Sequence, residues 1–263
     1  MGHSLPLPLP WGRGSIGFFA SPHADRLIVF VHGFGGKALK TWDGMEALLA
    51  DPRAQTSDIV FYGYGSLAAP AQNSSSLFRE MLTAAVTGAS NWRHMVRRGG
   101  ADADMRDYQD ILIVAHSLGA VIVRRALLDL VKTKASWVER CRILLFGPAH
   151  MGTRLTALAP MLRSGLGSIL NDLFSFGRVK VPVLDDLEEG SAFLARMLSD
   201  SQALLQKGMV RPIVAEQVVF GERENVVRTT TFASDPLASV WADEDHCSIC
   251  RVPQASHTVA SHL

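Results

Sequence analysis

The chain has 263 residues, 48% of them hydrophobic, with 26 lysines and arginines against 25 acids. That length suits one large domain with a substantial core, and a formal net charge of +1 supplies no general field for nucleic acid, so no nucleic-acid partner is expected. No apolar run approaches the roughly 20 residues of a membrane span, and three cysteines give no disulfide framework.

The N-terminus alternates as Leu5-Pro6-Leu7-Pro8-Leu9-Pro10. It lacks the basic region and continuous apolar core of a secretory signal, so the cytoplasm is the expected compartment. Alternating Leu-Pro predicts an extended arm over residues 1–25, with one α/β domain over 26–263. Residues 27–31 (Leu-Ile-Val-Phe-Val) read as a strand buried on both faces, opening into His32-Gly33-Phe34-Gly35-Gly36. Residues 41–50 are expected to be helical, with Trp42, Met45, Leu48 and Leu49 on one face, and residues 58–62 form the next strand. A helix is predicted over 76–86 with Leu77, Met81, Leu82 and Ala85 inward. Residues 88–107, with the basic group Arg93, His94, Arg97 and Arg98, read as a solvated loop.

Residues 111–115 (Ile-Leu-Ile-Val-Ala) are a second strand buried on both faces. His116, Ser117, Leu118 and Gly119 follow, and then Val121, Ile122, Ala126, Leu127 and Leu130 at helical spacing. A serine on a sharp turn between strand and helix is the setting of a nucleophile elbow. The common pattern is G-x-S-x-G, and Ala115 stands here for the first glycine. Residues 143–146 form another short strand, running into Gly147-Pro148-Ala149-His150-Met151-Gly152-Thr153. The leucines of residues 154–178, Leu158 and Leu162 among them, make an apolar stripe that suits either a helical cap or ordinary covering helices. One helix over 187–205, a strand over 216–220 and a final β-branched strand over 229–233 complete the series. Strands alternating with helices indicate a mainly parallel central sheet with helices on both faces, and such sheets bind ligands at the carboxyl ends of their strands.

A serine hydroxyl needs a base to take its proton and a carboxylate to orient that base. Ser117, Glu224 and His246 occur in the chain order of this fold, each just past a predicted strand. The backbone N–H groups of Phe34 and Leu118 are the expected oxyanion donors. His32 and His116 belong to the motif backbones and are expected to pack or orient loops. His150 and Met151, past a strand end, are candidate substrate contacts, as are Leu158 and Leu162. Cys247 and Cys250 form C-x-x-C beside His246, but Cys141 is the only other thiol, and neither a metal nor an organic cofactor is expected.

Together the stretches Val29-Phe30-Val31-His32-Gly33-Phe34, Phe61-Tyr62-Gly63-Tyr64, Ala115-His116-Ser117-Leu118-Gly119, 147–153 and Asp245-His246-Cys247-Ser248-Ile249 resemble the α/β-hydrolase superfamily. They look most like its lipase-like branch, which includes GPI-inositol deacylases and serine-active-site-containing proteins. The resemblance implies an α/β-hydrolase fold and ester hydrolysis through a serine triad. The family's acid loop resembles G-x-x-D-x-V-V, which puts Glu224 at the aspartate position, with Glu222 and Asp243 as alternative acids. The expected activity is cleavage of carboxylic esters, on apolar acyl or lipid-like substrates with transient contact at a membrane surface. Acyl transfer, thioester hydrolysis and a hydrolase-like binding module are the alternatives.

Overall fold

The computed structural model of the chain describes residues 2–45, 47–154, 181–251 and 253–263. Apart from Arg154, the stretch read as a cap, with Leu158 and Leu162, lies outside the described residues.

Ten strands are present among the described residues: β1 (Gly2–His3), β2 (Leu7–Pro8), β3 (Ile16–Phe18), β4 (Ala20–Ser21), β5 (Ala24–Val31), β6 (Ser57–Tyr62), β7 (Arg106–His116), β8 (Cys141–Phe146), β9 (Gln217–Gly221) and β10 (Ser239–Trp241). Eight of them form one sheet in the order β10-β9-β8-β7-β5-β6-β3-β2, while β1 pairs with β4. From β10 to β6 every pairing is parallel, and β3 and β2 add two antiparallel strands at one edge. The sequence indicated this mainly parallel sheet. Within the stretch expected to be an arm, Leu7–Pro8 and Ile16–Phe18 are the last two strands of the domain's own sheet, and β5 already begins at Ala24.

Side chains alternate across the central strands, which is why these strands read as unbroken apolar runs. Leu27, Val29, Val31, Ile111, Ile113 and Ala115 enter one core, and Ile28, Phe30, Leu112 and Val114 enter the other. The first core is completed by helices α2 (Ala71–Val86), α3 (Ser90–Arg98), α4 (Leu118–Lys132) and α6 (Ala192–Gln206), through residues such as Phe78, Trp92, Leu127 and Met197. The second is closed by Trp42 and by Ala255 and Val259 of the last helix, α7 (Pro253–Ser261). Each large apolar side chain withdrawn from water contributes about 1.5–3 kcal/mol, so both faces hold the sheet together.

Several elements depart from the sequence expectation. The helix expected over 41–50 is a 3-10 turn at Lys40–Trp42 and a short α1 (Ala47–Ala50), divided where Gly44 takes φ +90. In α2 it is Phe78 that points inward, and Leu77 is 47% exposed. The expected loop over 88–107 contains α3, because Trp92, Met95 and Val96 bury one face at helical spacing while the arginines face water. The expected single helix over 187–205 is two, α5 (Pro182–Leu187) and α6, the second begun by Ser191, whose hydroxyl accepts the Leu194 N–H. Residues 229–233 form no strand: Thr229, Thr230 and Thr231 are exposed. The edge of the sheet beyond β9 is taken by β10 instead.

Candidate active site

Everything in the site starts from the end of β7. Ser117 follows its last residue at φ 53, ψ −122, a region a non-glycine residue occupies only when its surroundings force it, and α4 begins at the next residue. Two neighbours make the turn workable. Gly119 lies so close to the end of β5 that a Cβ there would stand 2.4 Å from the Val31 carbonyl oxygen and 2.5 Å from that of His32. Ala115, by contrast, is an ordinary strand residue paired with Val31 and Leu145, with no positive φ, so alanine serves where glycine is more usual.

Ser117, His246 and Glu224 are brought together. His246 Nε2 lies 2.9 Å from Ser117 Oγ, and His246 Nδ1 lies 2.8 Å from Glu224 Oε2. The other carboxylate oxygen of Glu224 accepts the N–H groups of Val226 (2.8 Å) and Val227 (3.1 Å), so the longer glutamate stem is seated by its own loop. Burial alone would push this carboxyl up. The His246 hydrogen bond and the two backbone N–H groups outweigh it and hold the carboxyl below its ordinary range. The alternative acids are engaged with each other's loops: Glu222 accepts the Asp243 N–H, and Asp243 accepts from Arg223.

The histidine loop is fixed from two sides. Asp245 Oδ1 accepts the N–H groups of Cys247 and Ser248, forming a tight turn. His116 Nε2–H donates to the His246 carbonyl at 2.7 Å, which fixes the tautomer of His116. Burial, with the neighbouring His246 adding to it, holds His116 neutral, well below the usual imidazole range.

Across from the elbow, the chain leaving β5 comes close enough that a Cβ on Gly33 would sit 2.7 Å from Ser117 Cβ. His32 Nδ1–H donates to the Gly33 carbonyl at 2.8 Å, and its Nε2 accepts the Tyr64 N–H at 3.3 Å. The two rings stack with centroids 4.4 Å apart, and burial lowers the His32 pKa to about 4. The Gly35 N–H donates to Ser66 Oγ. With the loop held this way, the N–H groups of Phe34 and Leu118 have no hydrogen-bond partner among the described residues. The arrangement can pass a proton from a hydroxyl to an imidazole backed by a carboxylate, next to two donors free to hold a developing oxyanion.

The pattern of the family described as "Putative serine esterase (DUF676)" matches residues 21–206. The chain belongs to this serine esterase family. The match spans most of the chain, and it contains β5, the glycine loop, β7 and the elbow. No curated protein matches it. Among solved structures, the mature form of the Bacillus licheniformis lipase BlEst2 is 17% identical, with 93% of this chain and 94% of that one covered at a TM-score of 0.51. The peroxisomal alpha-beta-hydrolase Lpx1 from Saccharomyces cerevisiae is 12% identical, covering 94% and 81%, with a TM-score of 0.57. Naproxen esterase from Bacillus subtilis is 13% identical, covering 100% and 92%, with a TM-score of 0.54. These likenesses give the esterase family member its fold, which is α/β-hydrolase.

His150 and Met151, the other expected contacts, follow Ala149, whose N–H donates to the Ser117 carbonyl at 3.3 Å. The His150 ring packs on Phe232 with centroids 4.7 Å apart and lies 3.4 Å from Arg124 Nε, beside a small pocket shared with Met151. Arg124 is itself buried, paired with Asp235 at 2.6 Å and set 4.7 Å over the Phe232 ring. Neither His150 nor Met151 lines the cavities beside the Phe34 loop. Cys250 is buried with its thiol 3.2 Å from the Thr41 carbonyl, and burial raises its pKa to about 12. Sequence reading missed Ser66 as the anchor of the glycine loop, and it missed the lysines of that loop as cavity walls. No spacing rule signals a hydroxyl 31 residues away from the N–H it accepts.

Proposed function

We propose that the chain is a hydrolase of carboxylic esters that works through an acyl-enzyme. Ser117 is the nucleophile, His246 the base, and Glu224 the carboxylate that fixes the His246 tautomer and stabilises its protonated form. The observation that carries this is the unbroken hydrogen-bonded series from Glu224 through His246 to Ser117 Oγ, buried at the tip of a strained turn.

As Ser117 Oγ bonds to the acyl carbon, its proton passes to His246 Nε2, and the carbonyl oxygen takes negative charge beside the Phe34 and Leu118 N–H groups. Collapse expels the alcohol, protonated by His246. A water, deprotonated in its turn by His246, releases the acid and restores Ser117. Membership of a serine esterase family and fold likeness to enzymes named lipase and esterase support this reading. The preference for an apolar acyl chain rests on the leucine stripe that carries Leu158 and Leu162.

The test is hydrolysis of p-nitrophenyl esters of increasing acyl length, with Ser117→Ala beside the wild type, together with labelling by a fluorophosphonate. Turnover and labelling that both vanish in the variant support the assignment. A folded wild type that is neither labelled nor active on any ester refutes it.

A further inference from the structure

The glycine loop after β5 separates two open cavities. One, of about 210 Å³, is walled by Gly33, Phe34, Lys37, Lys40, His116 and Arg251, among others. The second, of about 660 Å³, shares Gly35, Gly36, Lys37 and Lys40 with the first and adds Arg13 and His32. Among the described residues, every charged residue lining either cavity is a lysine or an arginine, and neither wall contains an aspartate or glutamate. This is a chain with almost as many acids as bases.

Lone exposed cations are commonplace, and what sets these apart is convergence without neutralisation. Arg13, Lys37, Lys40 and Arg251 make no ion pair among the described residues, whereas Arg26, Arg106, Arg124, Arg125 and Arg142 are all paired with carboxylates. Charges of one sign on the walls of a concave surface focus their field into it. The field reaches the site itself: the Arg251 charge adds to burial and to His246 in keeping His116 neutral. His116 lines the first cavity, and its buried Nδ1 has no partner. Held as an acceptor by its tautomer, that nitrogen would itself repel an anion, which leaves the four cations as the groups that would receive one.

We propose that the ester taken by this site carries an anionic group, a carboxylate or a phosphate, received by Lys37, Lys40, Arg251 and Arg13 beside the Phe34 loop. The proposal rests on Ser117 being the esterase nucleophile. It adds a substrate class: esters with a negative charge in the part of the molecule that does not react.

Two matched pairs of substrates test it. Mono-p-nitrophenyl glutarate against p-nitrophenyl valerate places the charge, a carboxylate, in the acyl half. A 1-acylglycerol 3-phosphate against the same 1-acylglycerol places it, as phosphate, in the alcohol half. The readout is the ratio of kcat/KM, anionic over neutral, for the wild type, for Lys40→Glu/Arg251→Glu, and for Lys207→Glu, an exposed charge change outside both cavities. Each cation within about 4 Å of the anion is worth roughly fivefold in water. Reversing two of them is therefore expected to cut the ratio by at least tenfold in one pair, with no change in Lys207→Glu. Raising salt from about 20 mM to about 0.5 M is expected to shrink the wild-type ratio as screening tightens. The pair that responds tells whether carboxylate or phosphate is the preferred source of charge.

A ratio indifferent to both the reversal and the salt, in an enzyme whose Ser117 is labelled and which cleaves the neutral esters, overturns the anionic preference and leaves the esterase reading standing. No labelling and no turnover of any ester overturns both.

Discussion

Replacing Gly119 by alanine tests how closely the nucleophile turn is packed. The added Cβ would meet the Val31 and His32 carbonyl oxygens at 2.4 and 2.5 Å, short of ordinary contact by about 1 Å. Neither oxygen is free to retreat: Val31 ends β5, paired with β6 on one side and β7 on the other, and the His32 carbonyl accepts the Tyr64 hydroxyl at 2.8 Å. The start of α4 must therefore move, carrying Ser117 and the Leu118 N–H away from the Phe34 loop. Overpacking of this kind costs about 1–3 kcal/mol, or a melting temperature lower by roughly 2–10 °C for a chain of this size. A reacting group displaced by about 1 Å loses on the order of a hundredfold in rate. Calorimetry, with kcat/KM on p-nitrophenyl butyrate and the rate of fluorophosphonate labelling, would show both effects. Gly65→Ala is the control for stability, since its Cβ would find its nearest neighbour at 3.7 Å. A Gly119→Ala protein that melts and labels like the wild type would refute the argument.

Shortening Glu224 to aspartate withdraws the carboxylate by about one bond, 1.5 Å, from a His246 Nδ1 now 2.8 Å away; kcat is expected to fall 10- to 100-fold, and an unchanged kcat would show that the loop follows the shorter side chain. Asp110 is half-buried and bonded to Arg26 and to two nitrogens of Arg142. Burial opposes its ionisation, yet the arginines outweigh it and hold its pKa below the ordinary range. Its contribution is therefore complete above the unfolded pKa near 3.9 and lost as pH falls through the lower folded value. Urea midpoints from about pH 7 to pH 3 should be lower and fall less steeply for Asp110→Asn, and parallel curves would count against it. Arg124→Met leaves Asp235 buried with the Ala215 N–H but no cation. A loss of about 3–5 kcal/mol in urea unfolding is expected, and a loss below about 1 kcal/mol would mean that Asp235 is neutral or rehydrated.

What the sequence disclosed, it disclosed through burial. β5, β6, β7 and β8 carry apolar side chains to both faces, so the runs over 27–31, 58–62, 111–115 and 143–146 marked the parallel sheet, and with it the ends where its loops gather. The serine was legible because an elbow needs a strand before it and a helix after it. Glu224 was legible only as one of three acids, since the choice depends on which loop reaches His246. Helix α3 carried a fair signal in Trp92, Met95 and Val96, obscured by four basic residues and flanking glycines. Thr229, Thr230 and Thr231 had strand propensity, but the place beside β9 is taken by β10. The cationic walls were out of reach of sequence reading, because Arg13, Lys37, Lys40 and Arg251 converge only when the first turn, the glycine loop and the histidine loop are folded against one another.

The bond between Ser117 and His246 spans 129 residues, and the one between His246 and Glu224 spans 22. The first cannot form until β8 has been laid beside β7 and β9 beside β8, and loops of that length close late. A refolding chain would thus recover the helical signal of α2, α3 and α4 before it could react with a fluorophosphonate. The lag between the two signals would time the last stage of assembly, with the chemistry of one serine as the clock.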